Sequence, residues 1–238
     1  MPFSNDIYEP LRAGMVDDLM VVGQIGQSLD GRIATLTGHS HYINGAAGLT
    51  HLHKLRALVD IVVVGIGTVL ADDPLLTVRR VEGRNPARAV IDPGGRLSNQ
   101  AHLLVADGAR RVVITAQPAR TDLPAGVEAL TLPADGGRIS PVEILAALAE
   151  CGFRRVLVEG GAETISRFLT AGCLDRLHVV VAPIILGSGR PSFALPEIAK
   201  VDQALRPPIK IHRLENEILF DCDLSAQRVP VGRAKKSI

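Results

Sequence analysis

Apolar residues along this chain come in short unbroken runs separated by polar stretches rich in Gly and Pro. "DLMVVGQIGQS" (18–28), "DIVVVG" (60–65), "ARAVID" (87–92), "RRVVIT" (110–115), "VEALTL" (127–132) and "RVLVEGG" (155–161) are rich in Val and Ile and nearly continuous in hydrophobicity. That is the pattern of strands buried on both faces, as in a parallel sheet. Other segments have the helical period. Between Ala46 and Val59 the positions Leu49, Leu52, Leu55 and Val59 fall three to four apart, predicting a helix with one buried apolar stripe. "SPVEILAALAEC" (140–151) predicts a helix capped by Ser140, with Pro141 at its first position and Glu143 three residues after the cap. "AETISRFLTAG" (162–172) predicts another, ended by Gly172.

After a turn at Asp30-Gly31 and a short apolar piece, Arg32 to Leu36, the polar stretch "TGHSHYINGAAG" reads as a loop. "RLHVVVAPIIL" (176–186) is a further strand, and "IKIHRL" with "EILFDCDL" form a hairpin turned at Glu215-Asn216. Strands alternating with helices predict an α/β fold: three layers, α/β/α, around a mostly parallel sheet with an antiparallel C-terminal hairpin. Residues 1–18 are expected to be an extension, 19–226 one domain and 227–238 a tail, with 93–101 and 187–208 as loops within the domain.

Composition narrows the function. With 26 Lys+Arg against 25 Asp+Glu there is no global field to gather nucleic acid or coat an anionic membrane. No Trp, two Tyr and five Phe argue against a base-stacking platform. Cys151, Cys173 and Cys222 lie far apart without a C-x-x-C pair, which predicts neither zinc knuckle nor disulfide framework and fits a reducing cytoplasm. The N-terminus lacks the order of a secretory signal, and no apolar run reaches the roughly 18 residues of a spanning helix. His39, His41, His51 and His53 lack the i, i+4 spacing and the accompanying acid or Cys of a metal site, so no metal is expected.

Two strand-to-helix junctions, "VVVGIGTVL" and "VLVEGGAETI", hold glycines where open α/β sheets bind ligands, beyond the carboxyl ends of their strands. At the second, Gly160 and Gly161 let a backbone come close, and the amides of Ala162, Glu163 and Thr164 open a helix N-terminus suited to a pyrophosphate. The same glycines read equally as shapers of an ordinary turn. Glu159 faces either donors on a ligand heterocycle or a salt-bridge partner. At the first junction Thr68 reads as a ligand group or a helix cap, and Asp72-Asp73 before Pro74 as a site or a plain turn. Arg56, Arg79 and Ser40 together suit a monoester phosphate, although each arginine alone reads as a solvated surface group.

"QSLDGRIA" (27–34), "LRALVDIVVVGIGTVLADDPLLTVR" (55–79), "RNPARAVID" (84–92), "VLVEGG" (156–161) and "APIILG" (182–187) together resemble the reductase domain of riboflavin biosynthesis, in that family's order from about Leu19 to Leu224. The resemblance implies a dihydrofolate reductase-like fold, a homodimer, and NADPH-dependent reduction of a phosphoribosylaminopyrimidine by hydride transfer to C1′. It implies substrate contacts at Ser40, Arg56, Leu76, Arg79 and Glu159. Cofactor contacts are implied at Gln27, Tyr42, Gly67, Thr68, Asp72 and the turn Gly160, Gly161, Ala162, Glu163, Thr164 and Ile165. Arg96, after the strand "ARAVID", is placed to meet the 2′-phosphate. Asp72 is the candidate catalytic group, a buried carboxylate that would favour positive charge developing at an iminium. The chain departs from the family at Gln24, where many members have a substrate-contacting lysine, and at Tyr42, often a tryptophan. The zinc signature of the deaminase that accompanies this reductase, H-x-E with P-C-x-x-C, does not occur, so a stand-alone reductase is expected. A reductase of a pterin or another modified pyrimidine, and a nucleotide-binding protein without turnover, are the competing readings.

Overall fold

A computed structural model describes residues 6–13, 19–40, 43–118 and 122–231. Its centre is a nine-stranded sheet in the order β10-β11-β8-β1-β7-β3-β4-β5-β6. Seven of these strands are mutually parallel: β8 (Arg176–Ala182), β1 (Met20–Ser28), β7 (Arg155–Glu159), β3 (Ile61–Gly65), β4 (Ala87–Ile91), β5 (Arg111–Ala116) and β6 (Val127–Leu132). The hairpin β10 (Ile209–Leu214) and β11 (Glu217–Asp223) closes one edge, with β11 antiparallel to β8. The three-layer, mostly parallel fold expected from the pattern is the one observed.

The runs are continuously apolar because each strand alternates between two cores. Val21, Ile25, Ile61, Val63, Ala89, Val112, Ile114, Val156 and Val158 face α4 (Pro141–Glu150) and α5 (Ala162–Thr170). Met20, Val22, Val62, Val64, Val90, Val113 and Leu157 face α2 (Ala46–Leu58) and α3 (Ile66–Asp72). "VEALTL" departs from expectation. As β6 it is the outermost strand, and its residues are only half-buried or exposed.

Four further differences have local causes. Residues 6–13 do not stand apart from the domain: α1 (Glu9–Ala13) inserts Leu11, 1% exposed, into the second core. The tail packs as far as Val231, with Val229 N–H donating to Gly172 O, so the domain continues beyond 226. Within 187–208, β9 (Gly189–Pro191) pairs with β2 (Arg32–Thr35) as a separate two-stranded ribbon, too short to register in the hydrophobic pattern. Pro141 takes the first position of α4 as expected, but the Ser140 side chain makes no cap hydrogen bond.

Candidate active site

The carboxyl ends of β1, β3, β4 and β7 open into a cleft of about 950 Å³, the place where parallel α/β sheets take ligands. Its floor is set by the strand termini. Glu159 ends β7, Gln24 lies beside it in register on β1, and both line the cleft. α2 lies across this face and lowers Arg56 onto Glu159. Nε donates to Oε1 at 2.8 Å and Nη2 to Oε2 at 2.7 Å, while Nη1 donates to Thr77 O at 3.1 Å. The ion pair is buried, with side-chain exposures of 8% and 7%. Burial acts to lower the Arg56 pKa, and the Glu159 carboxylate outweighs it and holds the guanidinium above its ordinary value. The two sequence alternatives for Glu159 thus combine: it is salt-bridged and it lines the cleft. Arg56 spends three of its five N–H groups on protein acceptors, which leaves two for a ligand.

The two glycine junctions pack against one another. Gly160 has φ +121°, and a Cβ there would lie 2.7 Å from Thr68 Oγ1; a Cβ on Gly65 would lie 2.3 Å from Thr164 Oγ1. Each glycine admits the threonine of the opposite junction, and Gly161 N–H donates to Thr68 Oγ1 at 3.0 Å. Thr68 does not cap its helix, whose N-cap is Gly65. The starts of α3 and α5 thereby meet at the cleft, and Gly67 leaves open space where a Cβ would stand.

The acidic pair separates into two roles. Asp73 is the left-handed C-cap of α3 (φ 38°), and its Oδ1 accepts from His102 N–H at 2.8 Å, so it is structural. Asp72 lines the cleft and accepts a hydrogen bond from Ser40 Oγ at 3.2 Å. Its side chain is exposed rather than buried, because it ends a short helix whose buried face is carried by Ile66 and Val69. Beyond it Leu76, 2% exposed, holds φ at +56°, a conformation uncommon for a residue with a bulky side chain. The segment is held there by side chains from elsewhere. Thr77 O accepts from Arg56, Val78 N–H donates to Asn85 Oδ1, and Arg79 N–H donates to His53 Nδ1. Burial lowers His53 to about 4, with Arg56, Arg79 and Arg80 adding like charge.

A family model described as RibD C-terminal domain matches residues 19–219. The chain belongs to that family. A curated relative, the 2,5-diamino-6-ribosylamino-4(3H)-pyrimidinone 5′-phosphate reductase of Methanothermobacter thermautotrophicus, is 36% identical over 188 residues, covering 77% of this chain and 86% of that protein. The riboflavin biosynthesis protein RibD of Mycobacterium tuberculosis is 34% identical over 195 residues, covering 78% of this chain and 48% of the relative. Among solved structures, the deaminase/reductase of Thermotoga maritima superposes with a TM-score of 0.75 at 30% identity, covering 86% of this chain and 56% of that one. The chain therefore spans about half the length of the two RibD-type relatives.

Against this RibD-family frame, the cleft brings together Ser40, Arg56, Gly67, Thr68, Asp72, Leu76, Arg96, Glu159 and the stretch Gly160, Gly161, Ala162, Glu163 and Thr164. Three expected residues fall elsewhere. The Ile165 side chain is fully buried in the core under α5, because its helical position turns it inward. Arg79 is exposed and off the cleft wall, since only its backbone is tied to α2. Gln27 is half-buried near the end of β1, outside the cleft, with Oε1 unpaired among the described residues. Tyr42 lies outside the described residues. Sequence reasoning missed Asn44 and the arginines Arg138, Arg167 and Arg190, all on the cleft wall. Burial lowers the Arg167 pKa; Glu163 opposes the shift and Arg138 adds to it. Gly136-Gly137 before Arg138 was the available signal, a turn with φ of 53° and 74° at the cleft edge. Among the described residues no cluster of three or more His, Cys, Asp or Glu could hold a metal, and no helix is long and apolar enough to cross a membrane.

Proposed function

We propose that this chain is an NADPH-dependent reductase of a 5-phosphoribosylaminopyrimidine, forming the ribitylamino product. The observation that carries the reading is the convergence on one cleft of Asp72 with Ser40, the Arg56–Glu159 pair and the two glycine junctions. The cleft suits a dinucleotide. Gly67 leaves room for close approach at the start of α3, and the start of α5, Ala162 to Thr164, lies on the cleft wall, where its first amides suit an anionic group of the cofactor.

When bound, the cofactor would supply the hydride for C1′ of the ring-opened imine; with the imine nitrogen already protonated from solvent, hydride addition alone completes the neutral amine. The protein's part is positioning and charge. Glu159, held by Arg56, presents a carboxylate edge to N–H donors of the pyrimidine, and the two free N–H groups of Arg56 serve acceptors on the substrate. Ser40 and Asp72 orient the sugar, and the Asp72 carboxylate favours the positive charge of the protonated imine. Arg79, exposed outside the cleft wall, is the proposed holder of the phosphate and would reach it from beyond that wall. Arg96 meets the 2′-phosphate of NADPH and gives at least about a tenfold preference over NADH, the worth of one charge-assisted contact.

The assay is NADPH oxidation with the ribosylaminopyrimidine phosphate and with dihydrofolate, side by side. Turnover of the first alone supports the reading; turnover of dihydrofolate alone, or of neither, overturns it. Equal kcat/KM for NADPH and NADH removes the role of Arg96. A cytoplasmic homodimer is part of the proposal, with the edge strand β10 as its surface, since Ile209 and Ile211 stand 51% and 60% exposed there. Light scattering that gives a 25.3 kDa particle at micromolar concentration contradicts it.

A further inference from the structure

β11 carries a buried acid that the reading above leaves unused. Glu217 is 4% exposed and does not line the cleft. Its Oε1 accepts from Asn44 Nδ2 at 2.8 Å and from Gly45 N–H at 3.0 Å, and its Oε2 accepts from Gly48 N–H at 2.7 Å. Gly45 is the N-cap of α2 and has no side chain to satisfy the first N–H groups of that helix. A carboxylate from the C-terminal hairpin does so instead, at the end of the helix where negative charge is favoured.

What Glu217 holds is a wall of the cleft. Gly48, Leu52 and Arg56 recur every four residues on one stripe of α2, and all three line the cleft together with Asn44 and Leu49. The fit leaves no slack. A Cβ on Gly48 would lie 2.7 Å from Glu217 Oε2, and a Cβ on Gly26 would lie 1.7 Å from Asn44 Oδ1. Asn44 is thus wedged between β1 and Glu217. Deeper along the same helix a second polar chain ties α2 to β8, the strand on which the hairpin is laid: Tyr8 Oη lies 2.8 Å from His51 Nδ1, and His51 Nε2 lies 3.0 Å from His178 Nδ1. His178 Nε2 stands 3.2 Å from Asp221 Oδ1, outside hydrogen-bond alignment.

We propose that Glu217 is a positioning residue of the active site: by fixing Asn44, Gly45 and Gly48 it sets where the α2 wall stands relative to the glycine junctions across the cleft. This rests on the reading of the cleft as a site for NADPH and a phosphorylated pyrimidine. A carboxylate is required because every group facing it is a donor, and an amide would turn its own N–H₂ toward one of them.

The test compares Glu217→Gln with Leu219→Ala, a change on the same strand at a side chain fully buried in the core. Amide exchange is followed in the unliganded protein, NADPH affinity by fluorescence, and KM and kcat by NADPH oxidation. For Glu217→Gln the expectation is at least tenfold faster exchange at Gly45 and Gly48, about tenfold weaker NADPH binding or higher substrate KM, and kcat within threefold of the unmodified protein. Leu219→Ala lowers the Tm while leaving affinity and local exchange in place. Equal effects of the two variants, or unchanged exchange at Gly45 and Gly48 in Glu217→Gln, overturn the proposal. If Glu217→Gln does not fold, Glu217→Asp, which keeps the charge but withdraws it by one methylene, is expected to show the same local signature. Should the unmodified protein neither bind NADPH nor turn over, the functional reading fails, and the exchange measurements still decide the role of Glu217.

Discussion

Removing Arg56 alone should cost more stability than removing Arg56 and Glu159 together. The pair is buried to 8% and 7% side-chain exposure and closed by two short hydrogen bonds, so solvent screens it little. Arg56→Met strands a carboxylate at the end of β7 with its partner gone, and breaking a buried pair in this way costs about 3–5 kcal/mol. For a domain of this size, each 1 kcal/mol lowers Tm by roughly 2–4 °C, which gives a fall of about 6–20 °C. The double variant Arg56→Met/Glu159→Leu leaves no buried charge. It loses the bond to Thr77 O, about 1 kcal/mol, and otherwise substitutes packed apolar groups, so its total loss should be about 1–2 kcal/mol. Glu159→Leu alone strands the buried guanidinium at a similar cost of about 3–5 kcal/mol, so the coupling energy is at least about 4 kcal/mol, well above the roughly 0.5 kcal/mol seen for independent sites. Urea unfolding followed by circular dichroism measures all the required terms without substrate. Additive losses in the double variant would refute the reasoning: the pair would then be screened, and Arg56 would be a ligand group with little structural role.

Three further outcomes follow from the site and its surroundings. Arg79→Ala should raise KM for the phosphorylated substrate roughly tenfold with NADPH affinity nearly unchanged, the pattern of lost ground-state binding; an unaltered KM transfers the phosphate to the arginines on the cleft wall. Asp72→Asn should lower kcat by about tenfold to a thousandfold, because it removes the charge and keeps the shape, and normal turnover would remove Asp72 from the chemistry. Burial, and secondarily His178, depress His51 to about 3, while an unfolded histidine titrates near 6.5. The neutral ring therefore contributes stability that is complete above about pH 6.5 and is lost as pH falls toward the folded value, on the order of 1–2 kcal/mol between pH 6.5 and 5. Unfolding free energies across that range should decline less steeply in His51→Gln; equal slopes would show that His51 does not supply this term.

The strands at 20–28, 61–65, 87–91 and 155–159 and the helices that alternate with them were legible because hydrophobic period is a local property, carried by neighbours in the chain. So were the two glycine junctions, since a strand passing into a helix through glycine marks the ligand end of a parallel sheet. Pairing partners are not local. That β6 lies at the edge, and that β2 finds β9 outside the main sheet, depends on strands far away in sequence. The same holds for α2, whose apolar period at Leu49, Leu52, Leu55 and Val59 predicts one buried stripe. In the fold Leu55 and Val59 are buried as that stripe requires, Leu49 and Leu52 line the cleft instead, and His51, His53 and Arg56 are buried as well. Those polar side chains are admissible in a core only because Glu159, the backbone N–H of Arg79 and His178 arrive from other elements to meet them. Asp72 and Asp73 are alike in the sequence and unlike in the fold, one reached by Ser40 and the other by His102. Local periodicity and glycine placement, then, determined the elements and the end of the sheet that carries the site; the partners of its charged groups were decided by tertiary structure, because a buried charge is stable only where another part of the chain arrives to satisfy it.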